Sequence, residues 1–425
     1  MNRELRVSLF DLATSLSNAM DLINSDLVDH HKRVAYIALR IVEELKLPPE
    51  EVKQIVLAGI LHDVGALSFE ERLTLKQYEN QNAHHHAEVG YWLLQTFAPM
   101  EQMAKYVRYH HHPWDMGNGA VFEGEPVPLG SHVLHLADRI EILINRQQEI
   151  LGQVNRIVET VNQGRGTLYS PGILDAFMAI SNREYFWLDI TSANVGKILA
   201  NNTDVVSVQL QICDLLEFSK LFSQIIDFRS SFTSTHSSGV AYTSEAIAQF
   251  IGLSDRECKM MRIAGFLHDI GKLAIPKKIL EKPGKLELGE FNVMRSHTYH
   301  TYRVLNSICG FDLITEWASY HHEKLNGQGY PFHLTEEHLS LGARIMAVAD
   351  VFTAIAEDRP YRDGLEKQEI LSILYRMVAT NSLDAHVVHV LENNYTEINE
   401  IRIHAQLEAD AMYREFKDKV AKLTE

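Results

Sequence analysis

Apolar positions recur with helical spacing along most of this chain. Val34, Ile37, Ala38, Ile41, Val42 and Leu45 form an i, i+3, i+4, i+7 stripe. Pro48-Pro49 stop it, because proline lacks the amide proton and clashes with the preceding turn. Val240, Ile247, Phe250 and Ile251 play the same part before Gly252. Residues 55–61 and 260–267 are apolar nearly all round, the pattern of central buried helices. Alternating, strand-like runs are few. Loops are marked by Gly117-Asn118-Gly119, residues 124–128, Pro283-Gly284 and residues 327–331. The pattern predicts an all-α fold.

The pattern is also doubled. Asp21, His30, His62 and Asp63 align with Asp227, His236, His268 and Asp269 at an offset of 206 residues. His86, His110 and His111 align with His297, His321 and His322 at 211, and Asp138 with Asp350 at 212. Even the segment 170–177 echoes 384–391. Five histidines and more than one aspartate at slowly drifting offsets describe a tandem repeat. Helical bundle domains are expected near 10–195 and 215–425, joined by a segment around 195–215 that looks helical.

Composition narrows the function classes. A chain of 425 residues with 46% hydrophobic and 23% charged residues is long enough for two or three cores and has a globular balance. No apolar run approaches the ~18 residues of a membrane span, and the first residues lack the apolar stretch of a signal peptide. Cys213, Cys258 and Cys309 show no paired spacing, so neither a disulfide framework nor a thiolate zinc site is expected, and a cytoplasmic location fits. A net charge of −16 argues against nucleic-acid binding. The 22 histidines, clustered near aspartates, are the compositional anomaly.

Ligand chemistry explains the clusters. Neighbours on a helix diverge by roughly 100°, so His268 and Asp269 can address adjacent metal ions with the aspartate bridging. His321-His322 offer two imidazoles just before Gly327 and Gly329. Nitrogen and oxygen donors without thiolate favour iron, manganese or zinc over calcium or magnesium. Two such ions would activate water and stabilise both sides of a phosphoryl displacement.

The runs His-Asp-Ile-Gly-Lys (268–272), His-His-Glu-x3-Gly-x-Gly-Tyr-Pro (321–331) and Asp-Arg-Pro-Tyr-Arg (358–362) resemble the HD-GYP branch of the HD phosphohydrolase superfamily. The resemblance spans about 190 residues. It implies a cyclic dinucleotide phosphodiesterase with two divalent ions, iron or manganese foremost and zinc or nickel otherwise. By that resemblance His236, His268, Asp269 and Asp350 hold one ion, and Asp269, His297, His321 and His322 the other. Lys272, Tyr330, Arg359 and Arg362 contact substrate phosphates, with Lys272 and Asp269 catalytic. Members with three ions carry a glutamate four residues before the first histidine; Phe232 stands there, so two ions are expected. Gly239 and Thr301 also depart from the family pattern without removing a ligand. His333, His386 and His389 read as surface or packing histidines, and His300 as an ordinary polar residue.

The first copy keeps the ligand-type positions His30, His62, Asp63, His86, His110, His111 and Asp138 as a candidate second metal site. It has lost the substrate grip. Ala66 replaces Lys272, His112 replaces Glu323, residues 116–120 replace the Gly-Tyr-Pro loop, and Arg139-Ile140-Glu141-Ile142 follows Asp138. A metal-loaded or decayed domain with a regulatory or pairing role is expected, the other readings being a pseudo-domain whose histidines persist only by descent and a phosphohydrolase of different specificity. His31, His84, His85 and His112 read as flankers, the spacing to Val34 selecting His30 over His31. The resemblance implies a cyclic dinucleotide substrate, 3′3′-cyclic GMP-AMP or cyclic di-GMP. It also allows a diguanylate-cyclase-type partner at the Gly-Tyr-Pro loop, and a homodimer. A non-catalytic dinucleotide sensor and a general nucleotidase are the competing classes.

Overall fold

The computed structural model describes residues 6–23, 28–66, 83–202, 208–229, 235–282, 284–358 and 363–423. Phe232, Arg359 and Arg362 lie outside them. The fold is all-α and divides into two compact units, Ser8–Gln209 and Leu210–Glu425.

In the first unit Ser8 caps α1 (Leu9–Asp21), its hydroxyl accepting from the Phe10 amide at 3.2 Å. Then follow α2 (His30–Glu44), α3 (Pro49–Leu61), α4 (Ala83–Leu94), α5 (Glu101–Arg108) and α6 (Leu129–Ile142). The unit ends with α7 (Val154–Asn162), α8 (Pro171–Ser181), α9 (Glu184–Thr191) and α10 (Val195–Asn202). The stripe of α2 is buried, from Val34 through Val42, and the helix packs on α3, α6 and α8. Two-residue strands, Val121–Phe122 and Glu125–Pro126, form a small antiparallel hairpin. Helix α10 packs on α2, so the helical part of the expected connector belongs to the first unit, and the chain is extended at Gln209–Leu210.

The second unit repeats the plan. It contains α11 (Ile212–Arg229), α12 (His236–Ile251), α13 (Asp255–Leu267), α14 (Lys277–Leu280), α15 (Leu288–Leu305) and α16 (Asp312–Ser319). Helices α17 (Leu341–Ala356), α18 (Lys367–Ala379), α19 (Ala385–Asn393) and α20 (Tyr395–Ala421) complete it. Gly252 ends α12 in the left-handed region, φ 93°, and a Ser254–Glu257 capping box opens α13. Helix α12 is central and packs on α13, α17 and α20. Val240 and Ile247 of its stripe are buried, whereas Phe250 is 38% exposed at the helix end, past the packed turns. Among the described residues no helix is long and apolar enough to cross a membrane.

Candidate metal centres

In the second unit His268 and Asp269 follow the last turn of α13. The His268 Nδ1 donates to the Gly265 carbonyl, three residues back, at 2.7 Å. His297 does the same to Met294 at 2.6 Å and His321 to Ala318 at 2.7 Å. A carbonyl only accepts, so wherever such an imidazole is neutral its ring proton sits on Nδ1 and its Nε2 presents a bare lone pair. Burial keeps the His297 and His321 rings neutral, pushing His297 down to about 3 and His321 well below the usual histidine range. Yet the Nε2 atoms of His297 and His321 face each other at 3.3 Å. Two acceptors at that distance have no proton between them and no room for a water. The spacing matches two ligands of one ion with bonds of ~2.1 Å. A cation resolves the conflict.

Asp269 divides its oxygens. Oδ2 lies 3.1 Å from His268 Nε2, while Oδ1 lies 3.4 Å from His297 Nε2 and 4.0 Å from His321 Nε2. That is the arrangement of a bridging carboxylate. On one side His236, His268 and Asp350 bring ligand atoms within 4.8 Å of each other; on the other His297, His321 and His322 do. Burial would raise the Asp269 pKa, but His268 and Lys272 hold it well below the carboxylate range.

Lys272 and Tyr330, two of the residues expected at the substrate, lie beside these clusters. Lys272 Nζ lies 2.5 Å from Asp269 Oδ2. The Tyr330 ring packs 5.0 Å from that of His322, and burial with Asp350 and Asp269 raises its hydroxyl pKa, so it stays a proton donor. Glu323 shapes the loop, accepting from the Phe332 amide at 2.6 Å and the Leu334 amide at 3.0 Å. Arg295 of α15, which sequence reasoning passed over, stacks 4.9 Å over the Tyr330 ring.

The first unit contains the same geometry at the offset positions. His62 Nδ1 donates to Gly59 at 2.9 Å and His110 Nδ1 to Val107 at 2.6 Å. The Nε2 of His86 faces those of His110 at 3.4 Å and His111 at 3.1 Å. Asp63 again divides: Oδ2 is 3.1 Å from His62 and 3.6 Å from His30, Oδ1 3.2 Å from His86 and 3.7 Å from His110. Buried Nε2 atoms of His30 and His62 lack a hydrogen-bond partner. Asp138 Oδ1 approaches His30 at 3.3 Å, but Arg139 holds its Oδ2 at 2.5 Å. All seven residues proposed here from sequence thus meet in one buried cluster; their counterparts in the second unit meet likewise, with the His322 side chain 31% exposed.

Three further features escaped the sequence reading. His31, set aside as a flanker, is buried and aims its Nε2 at Asp63 Oδ2, 3.8 Å away. The other two are carboxylates behind the first histidine. Glu357 accepts from His236 Nδ1 at 3.1 Å and is braced by the Gln406 amide at 2.9 Å, while Glu141 accepts from His30 Nδ1 at 2.6 Å. Glu141 stands three residues after Asp138 and Glu357 seven after Asp350, so the repeat offset misses the pair. Three residues along α6, and seven to the residue that ends α17, each bring the carboxylate back to the side of its aspartate. Burial lowers the His236 pKa, but Glu357 and Asp350 outweigh it and push it up to about 10. Glu357→Gln should lower metal affinity of the second unit by about 10–100-fold, as loss of such ligand-orienting carboxylates does. Competitive titration against a chelator measures it, and unchanged affinity would refute the role.

Comparisons with known proteins show the family. The HD domain family matches twice, over residues 27–143 and 220–387. The 3′3′-cGAMP-specific phosphodiesterase 1 of Vibrio cholerae is 28% identical over 95% of this chain and 95% of its own length. A cyclic di-GMP phosphodiesterase of Pseudomonas aeruginosa is 41% identical over 33% of this chain and 34% of its own. The crystal structure of a cyclic GMP-AMP specific phosphodiesterase of V. cholerae, V-cGAP3, shares the fold, with TM-score 0.65 and 22% identity over 92% of this chain and 98% of that one. The chain therefore belongs to the HD phosphohydrolase superfamily, as two HD domains in tandem of which the second bears the HD-GYP pattern.

Proposed function

We propose that this chain is a metal-dependent phosphodiesterase that opens a cyclic dinucleotide to a linear product, with the chemistry in the second unit. The observation that carries the reading is the meeting, at Asp269, of two ligand clusters with a lysine, beside a loop tyrosine. Two ions per centre are proposed, iron or manganese foremost, since imidazole and carboxylate donors without thiolate suit them. His236, His268 and Asp350 would hold one, His297, His321 and His322 the other, and Asp269 both. Bound ions would supply activation of water and neutralisation of phosphoryl charge.

The protein's own groups do the rest. In hydrolysis a water oxygen bonds to phosphorus, one ester P–O bond breaks, and a proton reaches the leaving ribose oxygen. Lys272 offers positive charge to the phosphate and a proton beside that oxygen. The Tyr330 hydroxyl donates to a phosphate oxygen and orients it. Arg359 and Arg362, from the family motif, are assigned to the remaining phosphate contacts. The 3′3′-cyclic GMP-AMP linkage is proposed among the substrates on the full-length likeness to the V. cholerae enzyme named for it. The first unit, with Ala66 in place of lysine and no tyrosine loop, is assigned an accessory part.

A panel of cyclic di-GMP, cyclic di-AMP and 3′3′- and 2′3′-cyclic GMP-AMP tests the reading. Binding by the metal-loaded protein with cleavage of none of them would assign it to the sensors instead. Lys272→Ala should lower kcat/KM by about 10²-fold while metal content stays, a loss of the size seen when one charge-stabilising donor is removed. Parallel loss of metal would make Lys272 a structural residue.

A further inference from the structure

The two centres differ by one ring. In the first unit His30, His31 and His62 form a near-equilateral triangle, with ring centroids 5.4 Å (His30–His31), 5.3 Å (His30–His62) and 5.3 Å (His31–His62) apart. Their three Nε2 atoms converge on a single carboxylate oxygen, Asp63 Oδ2, at 3.6, 3.8 and 3.1 Å in that order. All three histidines are at most 2% exposed. The far nitrogen of His31 is held as ligand histidines are held: Nδ1 lies 3.2 Å from Ser17 Oγ and 3.6 Å from Asp21 Oδ1, both on α1. The repeat offset of 206 places Ser237 where His31 stands, so the second unit has two imidazoles at the matching position and no third.

We propose that the first unit holds a divalent metal ion through three imidazoles, His30, His31 and His62, with Asp63 and Asp138, and that His31 is the ligand that distinguishes this centre from the hydrolytic one. The proposal rests on the reading of the His–Asp clusters as metal centres, and not on the second unit's activity. Five protein donors leave fewer open positions for water or substrate than the four from His236, His268, Asp269 and Asp350. A position filled by protein is the mark of a retained, structural ion, and an open one that of a catalytic ion. A third imidazole added to the two carboxylates also moves the preference towards cobalt, nickel and zinc. The first centre keeps its ion through chelation that strips the second.

The test uses the full chain carrying His268→Ala and Asp269→Ala, which disables the second centre. Cobalt(II) is loaded, the protein is dialysed against a chelator, and bound metal and the visible absorption of the ion are measured. Retained cobalt whose absorption shifts, and whose affinity falls at least about 10-fold, on adding His31→Ser supports the proposal. His31→Asn repeats the test while keeping a hydrogen-bonding group for Ser17, should the serine variant unfold, and thermal melting reports which case holds. Cobalt retained with an unchanged spectrum in both variants would overturn the role of His31 and leave the cluster as a metal site. No cobalt in the folded parent would overturn both, with the proposed hydrolysis untouched.

Discussion

Replacing His268 and Asp269 by alanine should abolish cyclic dinucleotide hydrolysis, by at least about 10³-fold, since the loss exceeds that of one stabilising donor. Asp269 is the reason. Its two oxygens face different ligand clusters, so its removal unties both ion positions at once and also frees Lys272 from its 2.5 Å partner. The remaining imidazoles, His297 and His321, are left lone pair to lone pair at 3.3 Å. The matching variant of the first unit, His62→Ala with Asp63→Ala, should change the rate only in part. Steady-state hydrolysis with metal analysis of both proteins decides the matter. Equal abolition by the two would refute the division into a hydrolytic and an accessory unit.

The second large effect is expected from a methyl group. Gly271 lies in the turn after Asp269, and a Cβ there would sit 1.9 Å from the His297 carbonyl oxygen and 2.6 Å from the Thr301 amide nitrogen. Both are backbone atoms of α15, so neither can swing aside. Thr301 tightens the same contact: its hydroxyl donates to the His268 carbonyl at 2.8 Å and accepts from the Gly271 amide at 3.1 Å. Gly271→Ala must push α15, and His297 with it, away from the Asp269 bridge. A cost of about 3 kcal/mol is expected, at the upper end for overpacking, which lowers Tm by roughly 6–12 °C in a unit of this size. Metal binding by the second unit should fall with it. Gly289→Ala on the same helix is the control, because nothing lies within 4 Å of its Cβ; it should be neutral or slightly stabilising. Calorimetry of the two variants separates them, and equal melting would refute the close-approach argument. The first unit carries the same device, Gly65 against His86.

Much of this was legible in the residues. Helical stripes announced an all-α chain because a buried face repeats every 3.6 residues whatever lies opposite. The ligand positions were legible because metal chemistry restricts them to histidine and aspartate, and the tandem arrangement repeated the restriction at nearly constant offsets. Phe250 shows where periodicity stops: it continues the stripe of α12 but ends 38% exposed, since a stripe specifies a direction and not the length of the neighbour that covers it.

The sequence by itself determined the fold class, the doubling, and the separation of metal-type residues from phosphate-type residues between the two halves. Only the tertiary structure decided which nitrogen of each histidine is free, because the partner of Nδ1 is a backbone carbonyl that carries no residue label. It alone placed Glu141 and Glu357 behind equivalent histidines, since helix faces, not residue offsets, decide what meets in space. It turned His31 from a flanker into a candidate ligand, because Ser17 and Asp21 that aim its ring come from another helix. Chemistry confines ligands to a few residue types that a sequence displays, whereas orientation depends on neighbours brought together only by folding.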